Sequence, residues 1–132
     1  MAASFDGRKV VLCAHDDPAV LRELRRALRG AGYLPVAAAS GFDAVRLALE
    51  EYPDLLLLDV FLRDLDGYAV RRAIAKLLPC APPPAVFLSD GTDDDMLRAF
   101  FAGAAECVGR PLTPRAVLDA VRLAFAHPGE FP

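Results

Sequence analysis

The sequence lacks the features that mark membrane proteins, nucleic-acid-binding proteins and metal-cluster proteins. No hydrophobic run in its 132 residues approaches the roughly 20 apolar residues of a membrane helix, and no basic-then-apolar signal pattern opens the chain. The net charge is only −3, with both signs interspersed, so there is no basic footprint for nucleic acid. Three cysteines, Cys13, Cys80 and Cys107, lack metal-ligand spacing. These absences predict a cytoplasmic protein with free buried thiols, and no nucleic-acid or membrane partner for this domain.

Length and composition predict one domain with a substantial core. A chain of 132 residues matches the usual size of one domain, and 55% of its residues are hydrophobic. No internal repeat and no second domain can be recognised. We therefore expect a single domain over residues 1–132, with its core at about 8–126 and a short tail at 127–132.

The stretch Asp54-Leu-Leu-Leu-Leu-Asp59 is the most informative part of the chain. Four leucines between two aspartates are too few for an ordinary helix, but they fit a strand that is buried on both faces. Four further short apolar runs, at 8–14, 34–38, 85–89 and 105–109, alternate with amphipathic segments that begin at helix-capping residues. This alternation predicts an α/β fold, in which a five-stranded parallel sheet carries helices on both faces.

Polar residues follow four of the five predicted strands. They are His15, Asp16, Asp17, Asp59, Ser89, Asp90 and Arg110. Because the strands are parallel, these residues should meet at one edge of the sheet, where ligands bind in open α/β folds. Carboxylates suit Mg²⁺ and a phosphoryl group, a carboxylate can act as the nucleophile, and a hydroxyl and a cation can stabilise the transferred group.

In these residues the chain resembles the CheY-like receiver domain of two-component response regulators. The resemblance extends over nearly the whole chain. The markers are the acidic stretch after the first strand, Leu58-Asp59-Val60, Asp66-Gly67, Leu88-Ser89, Ala102-Gly103-Ala104 and Arg110-Pro111, where the family has Lys-Pro. The resemblance implies a flavodoxin-like three-layer sandwich with sheet order 2-1-3-4-5. It also implies signal transduction by phosphorelay, with no enzymatic activity on other molecules.

The resemblance assigns a role to each site residue. Asp59 is the phosphoacceptor, charged by a histidine kinase or a phosphotransfer protein, with Ser89 and Arg110 assisting. The cofactor is Mg²⁺, held by Asp16, Asp59 and the backbone carbonyl of Phe61. The resemblance also implies that the face formed by the fourth helix, fifth strand and fifth helix binds a partner or forms a homodimer. On that helix, Phe100 fits the core register, which leaves Phe101 exposed.

Several residues depart from the family pattern. His15 replaces an acid, and because histidine suits Zn²⁺ or Cu²⁺ better than Mg²⁺, a transition-metal site built on His15 is the alternative. Arg110 replaces lysine, so it either binds the phosphoryl group or pairs with Asp59. Asp90 replaces a small residue and would repel phosphodonors if it points inward. Cys107 replaces the aromatic switch residue, and Arg63 replaces a common proline.

Two other functional hypotheses remain beside the phosphorylated receiver. A pseudo-receiver would use the same fold as an interaction module, independently of phosphorylation. A flavodoxin-like enzyme or FMN carrier is disfavoured, because no Gly-, Ser- or Thr-rich phosphate loop follows the first strand, where Asp16 and Asp17 would repel a phosphate.

Overall fold

A five-stranded parallel sheet in the order β2-β1-β3-β4-β5 organises residues 7–128, which are those described by the computed structural model. The strands are β1 (Val10–Ala14), β2 (Leu34–Ala38), β3 (Leu55–Asp59), β4 (Ala85–Ser89) and β5 (Glu106–Gly109). The helices are α1 (Pro18–Gly30), α2 (Gly41–Glu51), α3 (Gly67–Leu77), α4 (Asp93–Phe101) and α5 (Pro114–Ala126). The predicted alternation and strand order are confirmed. Residues 129–132 of the predicted tail lie outside the described residues.

The leucines of β3 divide between the two faces of the sheet. Leu56 and Leu58 pack in the layer that contains residues of α2, α3 and α4. Leu55 and Leu57 pack on the opposite face, in the layer that contains residues of α1 and α5. All four side chains are fully buried, and burying one leucine stabilises a fold by roughly 1.5–3 kcal/mol. Covering both faces therefore accounts for the unbroken leucine run.

A hydrogen bond anchors the beginning of β3. The Asp54 carboxylate accepts a hydrogen bond of 2.7 Å from the backbone N–H of Val10, the first residue of β1. A second bond, of 2.8 Å, joins the Asp54 N–H to the Val10 carbonyl. These bonds fix the alignment of β3 on its neighbour at the end opposite to Asp59.

The helices begin where the sequence predicts. Each is preceded by a side chain that accepts a hydrogen bond from a backbone N–H in its first turn, which satisfies one of the unpaired donors there. The caps are Asp17, Ser40, Asp66, Thr92 and Thr113. The acidic run 93–95 lies in the first turn of α4, near the positive end of its dipole. No helix in the described range is long and apolar enough to span a membrane.

The core prediction for Phe100 is wrong. Ala99 is the buried residue of α4, at 1% exposure, whereas Phe100 is 42% exposed. Successive helical residues point about 100° apart, so a helix that turns Ala99 inward holds Phe100 at its flank. There the Phe100 ring packs against Phe101, with a centroid distance of 5.5 Å. The prediction that Phe101 is exposed is confirmed, at 81%.

The prediction of buried thiols is wrong for one cysteine. Cys13 is buried in β1 and Cys107 is partly buried in β5, but Cys80 is exposed in the proline-rich connection after α3. That connection belongs to no helix or strand, and the residues on either side of Cys80, Pro79 and Ala81, are exposed with it. The three thiols therefore differ strongly in their access to reagents.

We expect iodoacetamide at pH 8 to modify Cys80 within minutes, Cys107 slowly, and Cys13 only after unfolding. Burial raises the pKa of Cys13 to about 12, so its reactive thiolate is nearly absent at pH 8. Peptide mass spectrometry, with and without guanidinium chloride, measures the three rates. Equal labelling of Cys13 and Cys80 in the native protein would contradict the buried position of β1.

Candidate functional site

The carboxyl edge of the sheet gathers the predicted site residues around Asp59. This aspartate is the last residue of β3 and only 5% exposed. The start of α3 packs against its backbone, because a Cβ on Gly67 would lie 2.6 Å from the Asp59 carbonyl oxygen. Only glycine fits there without displacing the strand end. The sequence motif Asp66-Gly67 thus has a structural reason: it closes the loop directly beside the candidate acceptor.

The side chain that faces the Asp59 carboxylate at close range is that of His15. The distance from His15 Nε2 to Asp59 Oδ2 is 3.6 Å, slightly longer than a hydrogen bond, and both side chains are buried. Burial raises the pKa of Asp59 above its ordinary value, and His15, the backbone of Phe61 and Arg110 oppose that increase. The Asp59 carboxylate is therefore shielded from water, and neighbouring groups offset part of the cost of burying its charge.

Two contacts fix the orientation of His15. Its Nδ1 accepts a hydrogen bond of 3.0 Å from the Asp17 N–H, and its own backbone N–H donates to the Ala38 carbonyl at 3.2 Å. Because Nδ1 is the acceptor, a neutral imidazole carries its proton on Nε2, the nitrogen that faces Asp59. Neither ring nitrogen then offers a lone pair to a metal ion. This geometry disfavours a transition-metal site built on His15.

The oxygen donors near Asp59 fit Mg²⁺ better than a transition metal. Asp16 is close enough to influence the Asp59 carboxyl, and it accepts a hydrogen bond of 3.1 Å from the Arg63 N–H. Mg²⁺ typically takes one or two carboxylates and keeps several waters. Asp16, Asp59 and the Phe61 carbonyl suit that pattern. Within residues 7–128, no three histidine, cysteine, aspartate or glutamate side chains are grouped to hold a metal on their own.

Ser89 ends β4 with its side chain buried beside Cys107. Its Oγ accepts a hydrogen bond of 3.1 Å from the Gly91 N–H and lies 3.5 Å from Cys107 Sγ. The hydroxyl therefore stays at the sheet edge, next to the strand that carries Asp59. Cys107 contacts this hydroxyl directly, a pairing that the sequence comparison with the family did not suggest.

Arg110 pairs with Asp90 rather than with Asp59. The distance from Arg110 Nε to Asp90 Oδ1 is 3.2 Å, and both side chains are largely exposed. Of the two predicted alternatives for Arg110, direct pairing with Asp59 is thus not the arrangement in this structure. Nor does Asp90 present an unpaired charge to an incoming donor, because its carboxylate is matched by the guanidinium.

Sequence reasoning missed the close approach of His15 to Asp59. The signal lay in the strand order: β1 and β3 are neighbours, whereas β5, which leads to Arg110, is two strands away from β3. It also missed a groove of about 910 Å³ between α1 and α5, beside His15 and Arg110. Apolar residues of both helices and of the loop before α5, including Val20, Leu24 and Leu112, line this groove.

Comparison with known proteins identifies the family of this chain. The family model of the response regulator receiver domain matches residues 11–122. The chain belongs to the response regulator receiver domain family. It is therefore a receiver domain of two-component signal transduction, with a flavodoxin-like fold.

Individual relatives are similar to this receiver domain over most of its length. The transcriptional regulatory protein AfsQ1 of Streptomyces coelicolor is 36% identical over 121 residues, which cover 91% of this chain and 52% of the relative. The transcriptional regulatory protein KdpE of Mycobacterium tuberculosis is 37% identical over 103 residues, covering 77% and 44%. The chain thus spans about half the length of these relatives.

Solved structures give the same fold. A response regulator structure from Chloroflexus aurantiacus has a TM-score of 0.82 at 30% identity, covering 90% of this chain and 98% of that one. A CheY-like receiver domain from Methanospirillum hungatei has a TM-score of 0.77 at 24% identity, covering 88% and 92%, and shows likeness of fold alone.

Proposed function

We propose that Asp59 of this receiver domain accepts a phosphoryl group from a phosphohistidine on a histidine kinase or phosphotransfer protein. A carboxylate oxygen of Asp59 attacks phosphorus, and the P–N bond of the donor breaks. The electron pair returns to the imidazole nitrogen, which takes up a proton. The domain is thus a substrate of phosphotransfer rather than an enzyme. The observation that carries the proposal is a buried carboxylate at the carboxyl edge, with hydroxyl and cation nearby.

The surrounding side chains have distinct roles in this proposal. The Ser89 hydroxyl donates to a phosphoryl oxygen once its proton turns toward Asp59, and Arg110 supplies positive charge. Asp16, Asp59 and the Phe61 carbonyl would hold Mg²⁺, which when bound neutralises negative charge on the phosphoryl oxygens. The Nε2–H group of His15 faces the Asp59 carboxylate in the resting domain, with Nε2 at 3.6 Å from Oδ2.

The groove between α1 and α5 favours a protein donor over a small molecule alone. It opens next to His15 and Arg110, so a helix seated in it would present a phosphohistidine near Asp59. Its lining is mainly apolar and also includes the charged side chains of Glu23 and Arg110, a mixture that protein interfaces use. We propose this groove as the contact surface for the cytoplasmic kinase or phosphotransfer protein.

Intact mass spectrometry after incubation with acetyl phosphate tests the proposed acceptor. With Mg²⁺ present, we expect a gain of about 80 Da, one phosphoryl group, that is slower or absent without Mg²⁺ and is removed by hydroxylamine. In this reaction the P–O bond to acetate breaks and acetate leaves with the electron pair. No gain over hours, with and without Mg²⁺, would contradict the proposal and favour a pseudo-receiver.

We propose that the α4–β5–α5 face forms a homodimer that extends over the outer side of α4, where Phe101 is a contact residue. Four large apolar side chains of α4 are exposed: Met96, Leu97, Phe100 and Phe101. Phe101→Glu should weaken self-association about tenfold, because a carboxylate cannot enter an apolar interface without losing its hydration. Sedimentation velocity measures the association, and Phe42→Glu, on an exposed face of α2, is the matched control. Equal sedimentation of both variants and the unmodified chain would contradict the proposed role of Phe101.

A further inference from the structure

We infer that Asp90 is a positioning residue, which holds Arg110 away from Asp59 until a phosphoryl group arrives. This inference rests on the proposed function, since it concerns the cation that the phosphorylated site requires. In the resting domain the guanidinium is at 3.2 Å from the Asp90 carboxylate, and the side chain that faces Asp59 at close range is His15. Arg110 therefore has two alternative anionic partners on the same edge of the sheet.

The geometry of the Asp90–Arg110 pair is fixed by the backbone on either side. Gly91 follows Asp90, and Gly109 precedes Arg110. The two glycines are in backbone contact, because a Cβ on Gly109 would lie 2.5 Å from the Gly91 Cα. The loop after β4 and the end of β5 are thereby packed tightly together. The ion pair is consequently built into the junction of two loops, unlike pairs between neighbouring residues of one helix.

The loop that carries Asp90 also connects the site to α4. The Asp90 N–H donates to the Asp95 carboxylate at 3.1 Å, and Asp95 lies in the first turn of α4. The following residue, Gly91, donates to Ser89 Oγ at 3.1 Å. Any change in the partner of Arg110 therefore acts on a loop that is bonded both to the site hydroxyl and to the start of α4.

A phosphoryl group on Asp59 is the stronger competitor for Arg110. The Asp90–Arg110 pair is weak, because its side chains are 48% and 60% exposed and water screens their charges. A phosphoryl group carries close to two negative charges, and a guanidinium binds it through parallel hydrogen bonds. Arg110 is already close enough to oppose the raised pKa of Asp59. Phosphorylation should thus transfer Arg110 to the acceptor and release the Asp90 loop before α4.

A double-mutant cycle on phosphorylation kinetics separates positioning from simple charge repulsion. Asp90→Asn should increase the initial rate of phosphorylation by acetyl phosphate by up to about fivefold, the upper end of the effect of an exposed ion pair. The same substitution should have no effect in the Arg110→Ala background, because the residue through which Asp90 acts is then missing. Asp90→Glu, which keeps the carboxylate, should restore the slower rate. Asp119→Asn, which breaks the similarly exposed Asp119–Arg122 pair in α5, is the control.

An equal effect of Asp90→Asn with and without Arg110 would overturn the inference and leave repulsion as the cause. A second measurement does not depend on phosphorylation. The Nε–Hε resonance of Arg110, identified by its loss in Arg110→Ala, should shift in resting Asp90→Asn; an unchanged resonance would also overturn the inference. No mass gain in any variant contradicts the proposed function itself.

Discussion

Asp59→Asn is expected to abolish phosphorylation completely and, at the same time, to stabilise the fold at neutral pH. The amide cannot form an acyl phosphate, so the mass gain of about 80 Da should disappear. The stability increase follows from burial: a carboxylate at 5% exposure loses hydration, and its pKa is raised. Relieving such a penalty at a functional site commonly adds on the order of 1 kcal/mol to the free energy of unfolding. For a domain of this size, that corresponds to roughly 4 °C in Tm.

The sign of the pH dependence provides a further check on this variant. Because the pKa of Asp59 is higher in the folded than in the unfolded state, its contribution to stability is greatest when it is protonated. That contribution is lost as the pH rises through the folded-state pKa. The advantage of Asp59→Asn should thus be full near pH 7.5 and should fade toward the unfolded-state pKa, about 3.9. Urea unfolding at several pH values measures it, with the exposed Asp119→Asn as control.

A lower stability of Asp59→Asn at pH 7.5 would contradict this account. It would mean that the attraction between His15 and Asp59, at 3.6 Å, outweighs the loss of hydration. Retained phosphorylation in the variant would instead move the acceptor to another residue. The two readouts therefore test the electrostatics and the chemistry of the site separately.

His15→Asp is expected to increase Mg²⁺ affinity and the rate of phosphorylation by about tenfold each. The substitution replaces an imidazole with a carboxylate next to Asp16 and Asp59, and a hard cation gains from each added oxygen ligand and negative charge. Two opposite charges about 4 Å apart attract each other by about 4 kcal/mol at an effective dielectric of 20. A net tenfold effect corresponds to about 1.4 kcal/mol, which is about a third of that attraction. Isothermal titration calorimetry measures the affinity, and intact mass measures the rate.

The control for this prediction is His15→Asn, which removes the imidazole without adding a carboxylate. If both variants accelerate phosphorylation equally, the loss of the imidazole is the cause and the added charge is not. If neither differs from the unmodified chain, Asp16 and Asp59 already provide all the charge that Mg²⁺ requires. The first result would make the histidine inhibitory, and the second would make it a tolerated variation; either would contradict the role of the added carboxylate.

The fold was predictable because several local signals agree. The leucine run predicts a doubly buried strand, capping residues mark the start of every helix, and strict alternation leaves a parallel sheet as the consistent arrangement. The strand order came from the family resemblance. The site was predictable only as a set of residues at one edge, since sequence position determines which strand end a residue follows but not the partner that its side chain selects.

Three errors or omissions illustrate this difference. Phe100 was predicted to be in the core, but small Ala99 occupies that position because α4 packs closely on the sheet. The His15–Asp59 approach depends on adjacent strands, and the Asp90–Arg110 pair depends on two loops in glycine-to-glycine contact. No periodicity or motif in the sequence encodes those distances. They arise from packing between elements far apart in the chain.

The hydrogen bond between Asp54 and Val10 at the start of β3 has a consequence for the acceptor at its other end. Four identical leucines cannot by themselves specify the register of β3 in the sheet. A shift of one residue would exchange the two faces of the strand. A shift of that kind would also withdraw Asp59 into the core or push it past the edge. The Asp54 carboxylate specifies the register, because it accepts a hydrogen bond of 2.7 Å from the Val10 N–H. Asp54 thus sets the register of β3, and the length of the leucine run determines where along the sheet edge Asp59 lies.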